Sequence, residues 1–436
     1  MLNFPRVLYY LGLGLQRLRW KEDKLKRYQN ERVRSIVRNA YDYVPFYHRI
    51  FKLHDISPED VKTVEDLSKL LVIKKDEFRK INPKELISIK YNPAILKPLR
   101  TSGSSGQPLT IYVNNAEADW RRAIYMRANI SCGQRPRDVW AFITDPRHFG
   151  DTTEIQRRLG VFAQTLIPVY GGPTVHLQLL QKVQPDVLDG YSGVMFLVAK
   201  EANRQGIDKF RLRLMFGSVD SVDLSQRAFM EKVFGAPYLD QYGCSEVNRM
   251  AWQCHCKSGY HIDADSVIIE TVDSTGKPVG NRESGEVVIT SLYNFAMPFI
   301  RYSLGDVGRL SDYRCSCGRV LPLMEIVEGR RDSFLTLPDG RVVSPMVFVA
   351  GMKDFSFFDQ IDQYRVIQKK KNHIQVFLKF KVLPVDIADV TLKVKRHVKH
   401  ILGVVDSDFF VDVQFVDDIP LSRTGRLMTT FSEIAS

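Results

Sequence analysis

The sequence predicts an α/β protein with two domains. The first is a large one of layered sheets that includes a β-rich subdomain. A small α+β domain follows it. Three observations predict this. From about residue 110, short apolar runs alternate with amphipathic stretches, the pattern of a sheet covered by helices. After about residue 260, period-two and continuous β patterns take over. Past about residue 330, a Gly- and Pro-marked connection, "GRRDSFLTLPDGRVVSP", leads into a hairpin, a helix and a strand. The length of 436 residues agrees, since ~150 residues per domain allows two or three domains. An apolar content of 44% and a charged content of 26% are ordinary for a globular chain.

The N-terminal region is basic, with eleven Lys or Arg against four Asp or Glu in residues 1–50. Its apolar run, Val7 to Leu15, is nine residues long, whereas a membrane-spanning helix needs ~18. The basic residues mostly follow the apolar run, the reverse of a signal peptide. Two readings fit: a helix packed on the body, or peripheral contact with an anionic membrane surface. The net charge of +12 is compatible with an anionic partner. No interleaved aromatic and basic surface accompanies it, which argues against nucleic acid.

Residues 25–55 read as helical, because "ERVRSIVRNAYDYV" repeats apolar residues at spacings of three and four. Pro45 is expected to break that pattern. "DVWAFI", "DVLDGY", "RLRLMF" and "APYLDQY" read as strands, and "EADWRRAIYMRA" and "LSQRAFMEKVF" as helices between them. "SVIIETV", "GEVVITSL" and "VGRLSD" belong to the β-rich part. Near the C-terminus, "YRVIQKKKNHIQVFLKF" reads as a hairpin turning near Lys371 and Asn372. "ADVTLKVKRHVKHIL" reads as a helix and "DFFVDVQFVDDIP" as a strand.

"TSGSSGQPL", Thr101 to Leu109, precedes the β-branched "TIYV". Glycines let a backbone approach an anion, and hydroxyls and amides donate to phosphate oxygens. The stretch lacks the lysine of a Walker loop. A phosphate cradle and a flexible linker both fit it.

Six cysteines are present, four of them in two C-x-C pairs: Cys254 with Cys256, and Cys315 with Cys317. In a long chain without a secretion signal this spacing points to metal rather than disulfides, and to the cytoplasm. "CHCKSGYH" adds His261, and three thiolates with one imidazole make a closed structural zinc site. Either Cys254 or Cys256 fits the fourth position. Cys244 reads as a small packing residue, and Cys132 has no visible partner.

Four further segments follow the loop: "YGCSE" at 242–246, "RYSLGD" at 301–306, "GRRD" at 329–332 and "SRTGR" at 422–426. In order and spacing the five resemble the adenylate-forming (acyl-CoA synthetase) superfamily. The chain looks most like its phenylacetate–CoA ligase branch, which includes capsular polysaccharide biosynthesis (CapK-like) proteins. The resemblance runs from "VRNAYDYVPFYHRIF" to "IPLSRTGR". It implies an AMP-binding domain over 1–330, containing the helical basic segment 1–55 and a zinc-bearing β-rich subdomain over 250–330. A mobile lid domain would occupy 331–436. Thr101, Ser102, Gly103, Ser104, Ser105 and Gly106 would hold the β- and γ-phosphates of ATP. Tyr242 and Gly243 would lie at the adenine, Ser245 at the α-phosphate, and Glu246 would help hold Mg²⁺. Asp306 would accept the ribose hydroxyls, Arg330 would donate to ribose or phosphate, and Asp332 would mark the hinge. The metal set matching the branch is Cys254, His261, Cys315 and Cys317. The implied reaction activates a carboxylic acid as an acyl-adenylate and passes the acyl group to coenzyme A. The acid pocket would draw on 148–195 and 216–250, with His148 a candidate polar group.

The chain departs from the family at three places. Gln107 replaces a Lys or Thr of many relatives, and Val219 and Asp220 replace a Gly-Glu pair near the adenine. Arg426 stands where the family usually has its adenylation lysine, keeping the charge on a bulkier, planar group. Arg426 and the Val219–Asp220 replacement favour one alternative, a catalytically impaired nucleotide-binding or scaffold protein of a polysaccharide pathway. A role in polysaccharide assembly would allow a second, an adenylating enzyme with an amine or sugar acceptor instead of coenzyme A.

Overall fold

The structure is a computed structural model. It describes residues 3–100, 109–144, 146, 152–169, 172–219, 222–328, 335–343, 352, 355–405, 408–420 and 430–434. The chain forms two compact units, Met1–Val327 and Glu328–Ser436.

Helices α1 (Phe4–Arg17), α2 (Glu22–Tyr43) and α3 (Pro45–Leu53) open the first unit. The helical pattern breaks at Pro45 as expected: α2 ends at Tyr43, Val44 is extended, and Pro45 opens α3. Its fixed φ suits the first helical position, and its missing N–H would have no partner there anyway. After α4 (Lys75–Lys80) and α5 (Pro83–Leu86) come β1 (Lys97–Arg100) and β2 (Thr110–Val113), which pair antiparallel with Arg100 opposite Thr110. "TSGSSGQPL" therefore lies between two paired strands, and its residues 101–108 are outside the described ones. Helix α6 (Asn115–Ser131) follows, and α1 buries Val7 and Leu11 against its Ala123 and Met126.

The next elements alternate: β3 (Trp140–Thr144), α7 (Glu154–Leu159), β4 (Gln164–Pro168), α8 (Gly172–Val183), β5 (Val187–Tyr191), α9 (Ser192–Arg204), β6 (Leu214–Ser218), α10 (Leu224–Phe234) and β7 (Tyr238–Cys244). The strands pair in parallel in the order β4-β3-β5-β6-β7. Helical crossovers cover the sheet, so the central strands are buried; every residue of β5 is buried, Asp189 included. The winding direction reverses between β3 and β5. Their carboxyl ends, Thr144 and Tyr191, flank the crevice where such sheets take ligands.

Six strands extend the same sheet with antiparallel pairings: β8 (Asn248–Gln253), β9 (Tyr260–Ile262), β10 (Val267–Val272), β11 (Gly285–Ser291), β12 (Tyr302–Ser311) and β13 (Leu323–Glu328). Their order from β7 is β8-β9-β13-β12-β11-β10. Strand β7 belongs to both halves, parallel to β6 and antiparallel to β8. A buried ionic cluster fixes α6 to the antiparallel half. Arg127 pairs with Asp263 at 2.6 Å and Asp265 at 2.8 Å, and Arg249 with Asp263 at 2.9 Å. Removing one partner from such a cluster costs ~3–5 kcal/mol.

The second unit contains the pair β14 (Leu335–Thr336) and β15 (Val342–Val343). It also contains β16 (Ile361–Lys370), β17 (His373–Phe380), α11 (Ile387–Leu402), β18 (Phe410–Phe415) and β19 (Thr430–Ser432). The larger sheet runs β18-β17-β16-β19. Helix α11 buries Val390, Val394, Val398 and Leu402, one residue per turn, in a core shared with Ile374, Val376 and Leu378. Among the described residues no helix is long and apolar enough to cross a membrane.

Candidate active site

The candidate nucleotide residues converge from two irregular strand segments at the carboxyl edge of the parallel sheet. Tyr242 and Gly243 lie near the end of β7, and Ser245 and Glu246 occupy the turn into β8. Gly243 is required by close approach, since a Cβ there would lie 2.6 Å from the Asn248 carbonyl oxygen. In β12 the ladder to β11 is interrupted: Glu286 faces Val307 and Val288 faces Ser303. Leu304, Gly305 and Asp306 thus stand against Val287 alone, with Gly305 at φ 76°. Such bulges re-aim side chains beside active sites, and this one turns Asp306 toward β7.

Two side-chain contacts join the segments. The Tyr242 hydroxyl donates to Asp306 Oδ2 at 2.7 Å. The Tyr302 hydroxyl donates to Glu246 Oε1 at 3.1 Å. The Glu246 side chain is 1% exposed, and Lys75 Nζ lies 2.8 Å from the same Oε1. Burial pushes the Glu246 carboxyl up. The Lys75 charge and the hydrogen bonds from Lys75 and Tyr302 outweigh it and hold the group below the usual carboxylate range. Glu246 is therefore an ionised carboxylate in a nearly dry setting. Burial, with the Glu246 charge, drives the Tyr302 hydroxyl far up, which keeps it a proton donor. Arg121 fixes the turn, donating to Ser245 O at 2.7 Å and Glu246 O at 3.0 Å, and Asn294 Nδ2 donates to Glu246 O at 3.2 Å.

Lys75, Tyr302 and Arg121 were missed by sequence reasoning. Tyr302 lies inside "RYSLGD" and was within reach of it. Its neighbour Arg301 has a different role, bonding to Glu270, Leu70 O and Gly276 O. Lys75 carries no motif. Thr101, Ser102, Gly103, Ser104, Ser105, Gly106, Gln107, His148, Asp220, Arg330, Asp332 and Arg426 lie outside the described residues. Val219, at the carboxyl end of β6, is 45% exposed and has φ 74°, a backbone region that β-branched residues rarely adopt.

A second cluster sits in the antiparallel half. One ligand atom each from Cys254, His261, Cys315 and Cys317 all lie within 4.8 Å of one another. Cys254 Sγ is 3.5 Å from Cys315 Sγ, and His261 Nε2 is 3.4 Å from both Cys254 Sγ and Cys317 Sγ. Tetrahedral zinc with ordinary bond lengths implies S···S edges of ~3.8 Å and S···N edges of ~3.6 Å. The cluster fits that geometry and that donor chemistry. Burial, then the Arg319 charge, holds His261 down to about 4, which leaves the imidazole neutral and able to ligate. Of the two alternatives for the third thiolate, the structure brings Cys254 into the cluster, while Cys256 is exposed and outside it. The cluster ties the β8–β9 hairpin to the β12–β13 connection.

The chain matches no family model. Its fold is that of adenylate-forming acyl-CoA ligases. A 2-hydroxyisobutyryl-CoA ligase in the postadenylation state superposes with a TM-score of 0.75, covering 94% of this chain and 89% of that one at 18% identity. A phenylacetate–coenzyme A ligase of Pseudomonas putida is 30% identical over 363 residues, 79% of either chain. The chain belongs to the phenylacetate–CoA ligase family of adenylate-forming enzymes. The similarity to protein CapK of Staphylococcus aureus is lower, 24%, but extends over 94% of this chain and 90% of that one.

Proposed function

We propose that this chain activates a small carboxylic acid with ATP and passes the acyl group to coenzyme A. The observation that supports this most is the convergence of Tyr242, Glu246 and Asp306, held by Lys75, Tyr302 and Arg121, in a member of this family. Tyr242 offers its ring to the adenine, and Asp306 accepts from the ribose hydroxyls. The 101–106 hairpin connection and Ser245 receive the phosphates. A carboxylate oxygen of the acid attacks the α-phosphorus, the bond to pyrophosphate breaks, and the acyl-adenylate forms. The coenzyme A thiol, as its thiolate, then attacks the acyl carbonyl and AMP leaves. Arg426 would offset the negative charge that builds at the α-phosphate. Arg330 adds donors, and Asp332 serves as the hinge of the lid. Mg²⁺ on Glu246 would neutralise phosphate charge, as a hard cation on oxygen ligands does. Zinc on Cys254, His261, Cys315 and Cys317 would be structural. Resemblance to the Pseudomonas enzyme favours an arylacetic acid, accommodated in the crevice between β3 and β5.

The end-to-end similarity to CapK favours a second reading in which the acceptor is an amine or sugar hydroxyl of polysaccharide assembly. One experiment separates the two readings. ATP-dependent pyrophosphate release is measured with aryl, fatty and amino acids, with and without coenzyme A. Release with an arylacetic acid and thioester formation supports the first. Release without thioester supports the second. No release with any acid overturns both and leaves a nucleotide-binding scaffold. Arg426→Ala is expected to lose at least about 100-fold in release rate, with Arg426→Lys recovering most of it.

A further inference from the structure

A carboxylate as buried as Glu246 needs a counter-charge at all times, whether or not nucleotide is present. Lys75 supplies one, with Nζ 2.8 Å from Oε1. The chain delivers it by a specific route. Ile73 N donates to Arg301 O and Ser303 N donates to Ile73 O, both at 2.9 Å, so the segment before α4 is zipped onto the start of β12. One helical turn after Lys75, Phe78 is fully buried against the rings of Phe46, Phe299 and Tyr302. The lysine and the tyrosine that hold Glu246 thus come from two mutually hydrogen-bonded segments. Only the lysine keeps freedom to leave: its side chain is 20% exposed and sits on a flexible four-carbon stem.

We infer that Lys75 is a built-in stand-in for the divalent cation, and that lysine and metal alternate on the Glu246 carboxylate. This rests on the reading that Glu246 holds the metal. Two cations on one dry carboxylate repel each other strongly, so metal entry requires the ammonium to withdraw. Incoming phosphates give the ammonium a new partner. The nucleotide and its metal therefore enter together, and the empty enzyme resists capturing metal alone.

The test is calorimetric titration of ATP into the full chain at a series of Mg²⁺ concentrations. In Lys75→Met the half-saturating Mg²⁺ concentration should fall by about tenfold, because the metal no longer displaces a competitor. Lys75→Arg, which keeps the charge, should stay close to the parent. If Lys75→Met leaves the Mg²⁺ dependence unchanged or raises it, the inference is overturned. It is equally overturned if ATP affinity drops by one factor at every Mg²⁺ concentration, since Lys75 is then simply a phosphate ligand. If Lys75→Met does not fold, Lys75→Gln is held to the same expected and overturning results. Glu246→Gln distinguishes the underlying reading: it should raise the half-saturating Mg²⁺ concentration. If it does not, Glu246 is not the metal ligand and the inference falls with it.

Discussion

The hydroxyl of Tyr242 on β7 is bonded to Asp306 on β12 at 2.7 Å, although 64 residues separate them. The contact holds the Asp306 carboxylate in one orientation before any nucleotide arrives, and it sets the angle of the Tyr242 ring.

Asp306→Asn is therefore expected to weaken ATP binding more than Tyr242→Phe does. The amide loses an acceptor for the ribose, at ~1.5–3 kcal/mol for a hydrogen bond to a charged group. The phenylalanine keeps the ring and loses the orienting bond, at ~1 kcal/mol. Calorimetry with ATP checks both. Equal losses in the two variants would contradict the assignment.

Metal analysis of the purified chain should find about one zinc per molecule. Cys315→Ser, or prolonged chelation, should lower the thermal midpoint sharply, because such sites contribute on the order of 10 kcal/mol to folding. Cys256→Ser should leave metal content unchanged. Metal-free protein with an unaltered melt would remove the assignment.

Asp189 on β5 is fully buried and accepts from the Tyr125 hydroxyl at 2.8 Å and Asn129 Nδ2 at 3.2 Å. Burial pushes its carboxyl from 3.8 to about 6, against the lowering effect of these hydrogen bonds. The folded state thus holds this proton more tightly than the unfolded state does. Its contribution is fully present below the unfolded value of 3.8 and is lost as pH rises through about 6, an effect of ~3 kcal/mol. Asp189→Asn should accordingly melt above the parent at about pH 7.5 and level with it at about pH 4. An equal shift at both values would rule out the carboxyl as the cause.

Val219 holds φ 74°, a backbone region in which glycine is at ease and a β-branched residue is not. Val219→Gly should stabilise the chain by about 1 kcal/mol, as relief of left-handed strain exceeds the added chain entropy. Denaturant titration checks this, and destabilisation would show that the valine side chain contributes more by packing than it costs in strain.

The fold was legible where one local pattern decides an element. Buried parallel strands such as β6 in "RLRLMF" appear as short apolar runs, and α11 shows its core face at a spacing of four. Tyr242, Glu246 and Asp306 were legible because they travel in short ordered motifs. Lys75 was not, because its place depends on the backbone pairing of Ile73 with β12, more than 200 residues away. The aim of Asp306 depends on a bulge whose local trace in the sequence is Gly305. The break at Pro45 was legible too, but not that the same proline opens the next helix, since a proline that ends one helix and one that opens the next look alike in sequence.

The pairing of β1 with β2 has a consequence for how this enzyme can change. Its rungs run from Lys97 opposite Val113 to Arg100 opposite Thr110, so the scaffold fixes both feet of the serine-rich stretch between them. Lengthening a loop anchored in this way adds little closure entropy, ~0.6 kcal/mol per doubling. Natural variation or directed evolution can lengthen or shorten that stretch while the paired strands on either side stay as they are.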